Sequence, residues 1–184
     1  MHESEPAGVP VQVSEEQFLA QPETMDRIEL IDGEVVVGPS PTLWHQDVLT
    51  ELSVALVSWV RQHPPARVGL SPLDVRFGPS RIVQPDLSLW LAALISTSTP
   101  IGQVPDLVVE VLSSNRVHDR VTKRFIYAEA GVRGYWMVDP AARGVECRRG
   151  PGLEAGVLVT SELTSPLLPG FSFDVAPLFQ GDIG

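Results

Sequence analysis

Lys123 is the single lysine of this chain; the other twelve of its thirteen basic residues are arginine. A sequence that uses guanidinium everywhere else keeps one compact ammonium here. Upstream lie Asp86, after Pro85 at the head of an apolar strand, and Glu110, inside Asp106-Leu107-Val108-Val109-Glu110-Val111-Leu112. An aspartate, a glutamate and a lysine gathered at a sheet edge are the working parts of metal-dependent phosphodiester chemistry. The carboxylates hold a cation that acidifies water, and the ammonium orients that water or neutralises phosphate charge. Oxygen ligands without soft ones favour Mg²⁺ or Mn²⁺ over zinc.

Strand alternation sharpens the choice of carboxylates. Over 106–112, Leu107, Val109 and Val111 form one apolar face, while Asp106, Val108, Glu110 and Leu112 form the other. A charge centred in so apolar a strand must be paired, protonated or bound to metal. The alternative for Glu110 is a core ion pair with an arginine. Asp106 and Glu110 stand roughly 13 Å apart at strand rise, too far to share one cation. Asp86, on a neighbouring strand, is therefore the preferred partner; its alternative is an aspartate tied to a turn.

Lys123 falls one turn after Asp119 on the next helix. An exposed Asp119–Lys123 pair, worth about 0.2–0.5 kcal/mol, is its plain alternative. Tyr127 shares the face of Lys123 and suits packing or positioning better than chemistry. Glu29, flanked by Ile28 and Leu30, is either a third carboxylate or a solvated strand residue. His45 has no second histidine at metal-ligand spacing, so a polar contact suits it better than a ligand role.

These residues need a scaffold of strands and helices, and the sequence spells one out. Ser14-Glu15-Glu16-Gln17 has capping-box spacing, predicting a short helix over about 15–20, before Pro22. Arg27–Ile31 and Glu34–Val37, joined by Asp32-Gly33, read as a hairpin. Apolar residues at three- and four-residue steps from Leu43 to Val60 predict an amphipathic helix over 42–62, ended by His63-Pro64-Pro65. Strands follow at about 67–71, 73–77, 86–91 and 106–112, with 92–105 a surface loop or short irregular helix. A second helix spans Asp119 to Ala130, with Gly131 as its stop. Gly134–Val138 is a strand, and the remainder suggests short antiparallel strands. The order implies a mixed α/β sheet flanked by helices. Residues 1–13 read as a flexible lead-in, and 14–184 as one domain.

Composition narrows the class. With 43% hydrophobic and 20% charged residues, 184 residues suffice for a core without disulfides or structural metal. One cysteine, Cys147, can form no internal bridge. There is no apolar run long enough to span a bilayer and no signal-peptide layout at the N-terminus, so a cytoplasmic protein without a membrane partner is expected. A net charge of −10 argues against tight metal-free binding to bare duplex, but a cation held by carboxylates can draw phosphate in. Phosphate loops, nucleophile elbows, His-Glu-x-x-His and Cys-x-x-Cys are all absent.

Six segments then resemble a known family in order along residues 28–140: Ile28–Glu34, His45-Gln46, Gln84-Pro85-Asp86-Leu87, Asp106–Ser113, Asp119–Lys123 and Gly131–Pro140. The combination resembles the Uma family of restriction-endonuclease-like proteins, within the PD-(D/E)xK nuclease superfamily. The resemblance implies a restriction-endonuclease-like core with extra antiparallel strands. It implies Asp86 and Glu110 as metal ligands, the Val111 carbonyl as a third, and Glu29 as an additional acid. In the wider superfamily the lysine stands two residues after the acidic strand residue, where this chain has Leu112; the family pattern moves it to the next helix, at Lys123. The expected function is therefore a Mg²⁺- or Mn²⁺-dependent endonuclease acting on nucleic acid, DNA in the first instance, and a homodimer would suit cutting both strands. The alternatives are a non-catalytic nucleic-acid- or protein-binding module of the same fold, and a small-nucleotide phosphoesterase.

Overall fold

A computed structural model describes residues 12–22, 24, 26–112 and 119–180. The capping box forms as spelled: Ser14 Oγ accepts from the Gln17 amide and the Gln17 side chain accepts from the Ser14 amide, starting α1, Glu15–Leu19. Most of the expected lead-in lies outside the described residues; at its end, the Val13 amide donates to the Gly33 carbonyl. The Asp32-Gly33 turn joins β1, Ile28–Ile31, to β2, Glu34–Val37, as an antiparallel hairpin. Both turn residues take positive φ, 52° and 88°, which is the backbone a two-residue hairpin loop requires.

The long apolar periodicity becomes α2, Leu43–Gln62, capped by Thr42. Its Val48, Leu52, Leu56 and Trp59 are buried. The strands that follow are β3, Arg67–Leu70; β4, Val75–Gly78; β5, Arg81–Val83; β6, Leu87–Trp90; and β7, Leu107–Val111. Strand β5 was not anticipated: at three residues it is too short for alternation to register. It matters because it pairs with β1 and β4 and so completes a four-stranded antiparallel sheet, β2-β1-β5-β4.

The expected second helix is not α-helical throughout. Asp119–Lys123 is a π-helical turn, and only Arg124–Ala130, here α3, is regular α-helix. Gly131, at φ 89°, stops it. Beyond lie β8, Gly134–Asp139; β9, Gly144–Arg149; β10, Ala155–Val159; β11, Glu162–Ser165; and β12, Leu168–Asp174. The main sheet has the order β10-β9-β8-β7-β6-β3, with β7 and β8 parallel and its other pairs antiparallel. Strands β11 and β12 form a separate pair.

Strand β7 lies inside the main sheet, and its two faces divide as alternation requires. Leu107, Val109 and Val111 join the cluster that holds Val48, Leu52 and Leu56 of α2. Val108 and Leu112 join the cluster that holds Ile126 and Tyr127 of α3. All five residues of β7 are buried, so Glu110 sits in the middle of the sheet on the α3 side. Among the described residues, no helix is long and apolar enough to cross a membrane.

This packing makes α2 the brace of the main sheet. Leu52→Ala removes a side chain that is fully buried, and is expected to cost about 2–5 kcal/mol of stability. Urea unfolding measures it, and a loss near zero would mean that α2 does not pack on β7 as described.

A buried carboxylate cluster as candidate active site

Six segments send polar side chains to one point on the α3 side of the main sheet. Asp86 comes from the residue before β6, Glu110 from the fourth residue of β7, and Glu29 from β1. Lys123 ends the π turn, and Tyr127 follows four residues later in α3. His45 stands in the first turn of α2. Parallel pairing of β7 with β8 needs a crossover, and the π turn and α3 form it, which is what lays Lys123 over Glu110.

The bonds within the cluster are short and directed. Lys123 Nζ donates to Glu110 Oε1 and to Glu29 Oε1, both at 3.1 Å. Tyr127 Oη donates to the same Glu110 Oε1 at 2.5 Å. Glu29 Oε1 also accepts the Gln84 amide at 2.9 Å. Asp86 Oδ2 accepts the Val111 amide at 2.7 Å, which ties the head of β6 to β7. His45 Nε2 lies 3.5 Å from Asp86 Oδ1.

Asp86, Glu110, Glu29, Lys123, Tyr127 and His45 are brought together. Lys123 is buried, not paired on an exposed surface, and Glu29 is buried, not solvated. Asp86 is bound to the neighbouring strand and not to a turn. The Asp119 side chain lies outside the described residues. For Val111, the amide is the group that touches the cluster. Asp106, excluded on distance, does other work: its Oδ2 accepts the Leu91 amide at 2.8 Å, and its Oδ1 pairs with Arg133 at 3.0 Å.

The cluster also contains Arg27, which the sequence pattern marks only as the start of a strand. Arg27 Nη1 donates to Asp86 Oδ1 at 2.8 Å, and Nη2 donates to Glu110 Oε2 at 3.3 Å. Nη2 also donates to the Gln84 carbonyl and lies 3.6 Å from Glu29 Oε1. Glu110 is thus paired with an arginine as well as with the lysine. A signal for this existed. Arg27 and Glu29 are two residues apart, so strand alternation places both on one face.

Electrostatics follow from burial and charge. With all three carboxylates ionised, they face the two cations Arg27 and Lys123 and leave one unit of negative charge in excess. Burial, then Asp86 and Glu29, push the Glu110 pKa up to about 7 against the pull of Lys123 and Arg27. Burial also opposes ionisation of Asp86, but the His45 ring and the Arg27 guanidinium outweigh it and bring Asp86 down to about 2. Burial disfavours the Lys123 ammonium, yet Glu110 and Glu29 more than compensate and raise its pKa, so it is a fixed cation and not a base. Burial and the neighbouring Glu110 carboxylate raise the Tyr127 phenol well above its ordinary value, so it remains a donor.

The donor set suits a hard divalent cation. Among the described residues, no three His, Cys, Asp or Glu side chains are already placed to hold a metal ion. Mg²⁺, however, commonly takes only one or two carboxylates and completes its shell with water and substrate oxygens. Asp86 Oδ1 and Glu110 Oε2, both now on Arg27, are oxygens that could take that role. Exchanging a guanidinium for a divalent ion would also balance the excess negative charge.

The raised Glu110 pKa sets the sign of a pH effect. Because the folded value lies above the ordinary 4.5, Glu110 contributes stability that is complete below about pH 4.5 and lost as pH rises through about 7. Asp86 acts in the opposite sense, between 3.8 and about 2, outside that window. Metal-free wild-type protein should therefore lose stability from pH 5 to pH 8 more steeply than Glu110→Gln. Thermal melts across that range decide it, and parallel profiles would contradict the assignment.

Comparison with known proteins agrees with this architecture. No curated protein matches the chain. A solved structure from Anabaena variabilis, described as "a putative nuclease belonging to DUF820", matches with a TM-score of 0.77 and 24% sequence identity. The match covers 91% of this chain and 97% of that one, and shows a shared fold. The Uma2 family, described as "Putative restriction endonuclease", matches over residues 15–176, which include every residue of the cluster. With that span matched, the chain belongs to the Uma2 family of restriction-endonuclease-like proteins.

Proposed function

We propose that this protein is a metal-dependent nuclease that hydrolyses phosphodiester bonds of DNA, with Asp86, Glu110 and Lys123 as its catalytic residues. The observation that carries the reading is the meeting of the only lysine with Glu110 at 3.1 Å inside the sheet, beside Asp86 on the adjoining strand. Burying three carboxylates is costly, and a purely structural core would be served as well by apolar side chains. Retaining them suits a site that must bind a cation.

Asp86 and Glu110 would hold Mg²⁺ or Mn²⁺, with the Val111 carbonyl as a third ligand. Bound there, the cation supplies Lewis-acid polarisation of a phosphoryl oxygen and acidifies water. The residues of the chain do the rest. Lys123, permanently charged, offers its ammonium to the negative charge that develops on phosphorus-bound oxygen. Glu29 holds that ammonium in place through a shared hydrogen bond. Tyr127 fixes the Glu110 carboxylate from behind. His45, against Asp86, acts with Arg27 to hold that carboxyl down at about 2. Asp119 is a further acid on the same turn as Lys123.

A second reading, a non-catalytic binding module of the same fold, draws support from the net charge of −10 and from the arginine that spans the two carboxylates. One experiment separates the two. Plasmid DNA is incubated with Mg²⁺ or Mn²⁺ and wild-type, Glu110→Ala or Lys123→Ala protein. The nuclease reading expects wild-type cleavage that EDTA stops. It expects each substitution to lower cleavage by at least about 100-fold, as removal of a charge-stabilising group typically does. Circular dichroism verifies that the variants fold. Equal cleavage by all three proteins would refute it, and no cleavage by wild type with any divalent ion favours the binding module.

A further inference from the structure

We infer that Arg27 is a built-in occupant of the cation seat, so that divalent metal binds this protein by displacing a guanidinium from Asp86 and Glu110. The inference rests on the metal-site reading above and adds to it the residue that sets the affinity.

The geometry points to a one-for-one exchange. Each carboxylate has one oxygen committed to the interior: Asp86 Oδ2 to the Val111 amide, Glu110 Oε1 to Tyr127 and Lys123. The remaining oxygens, Asp86 Oδ1 and Glu110 Oε2, both accept from Arg27, and Asp86 Oδ1 also faces His45 Nε2 at 3.5 Å. These oxygens would be the ones to hold a cation, and the guanidinium now contacts both. Asp86 and Glu110 are 1% and 4% exposed, whereas Arg27 is 24% exposed, so the guanidinium enters from the open side. It stands just before β1, where its carbonyl accepts the Gly38 amide at 2.8 Å, so its side chain can withdraw while the backbone of the hairpin stays paired.

Charge favours the exchange without making it free. A divalent ion in place of the guanidinium removes the excess negative charge of the cluster. Against this, two charge-assisted hydrogen bonds from Arg27 must be given up, and losing even one is worth about tenfold in an equilibrium constant. Wild-type protein should therefore bind metal more weakly than its carboxylates alone would allow, and in the absence of metal the cluster is kept folded by its own cation.

Calorimetric titration of Mn²⁺ into the full chain tests this with wild type, Arg27→Gln, Arg27→Lys and Asp86→Asn. Arg27→Gln is expected to bind Mn²⁺ at least about tenfold more tightly than wild type. Arg27→Lys, whose point charge cannot bridge two carboxylates as a planar fork does, should fall between them. A second readout is the melting temperature: Arg27→Gln should melt below wild type without metal and gain more from Mn²⁺. If Arg27→Gln does not fold, tighter binding by Arg27→Lys still supports the inference and unchanged binding overturns it. Equal or weaker affinity in both variants, with uptake abolished by Asp86→Asn, would overturn the role of Arg27 while leaving the metal site intact. No uptake by wild type or either Arg27 variant would overturn both.

Discussion

A carboxylate shut inside a β-sheet has to be met by a proton or by positive charge, because the surrounding side chains solvate it poorly. Glu110 imposes that demand within β7; Asp86, just before the adjoining β6, and Glu29, in β1 of the four-stranded sheet, add to it. Lys123 and Arg27 answer it from opposite sides. Much of the architecture around the cluster can be understood as the means of bringing these charges into register. The hairpin delivers Arg27 and Glu29, the β7–β8 crossover delivers Lys123 and Tyr127, and α2 delivers His45 while packing the far face of the sheet.

The π-helical turn at Asp119–Lys123 belongs to the same logic. A widened turn at the start of a helix alters which residues face the sheet, and such turns recur at functional sites. Here it is followed by α3, so that Lys123 and Tyr127, four residues apart, both reach Glu110 Oε1. The two donors differ in kind. The phenol hydrogen-bonds without adding charge, and the ammonium adds charge on the side shared with Glu29.

Much of this was legible in the residues themselves. Alternation in Asp106–Leu112 assigned Glu110 to the face opposite Val109, and the structure divides the faces in that way. The contrast between one lysine and twelve arginines singled out Lys123. What escaped notice has physical causes. Strand β5 is held by pairing on both sides, so its three residues needed no pattern of their own. The π turn escaped because Asp119 and Lys123, four residues apart, have the spacing of an ordinary α-helical turn. Arg27 escaped because an arginine at a strand entrance normally faces water; only the distant carboxylates of Asp86 and Glu110 give it a different task.

The central claim is that Asp86 and Glu110 form a seat for a divalent cation. Crystals grown with saturating Mn²⁺, with data collected at the manganese edge, address it directly. The account expects an anomalous peak between Asp86 Oδ1 and Glu110 Oε2, with the Arg27 guanidinium withdrawn from both. An absence of any peak there, with Arg27 still bridging the two carboxylates, would contradict it.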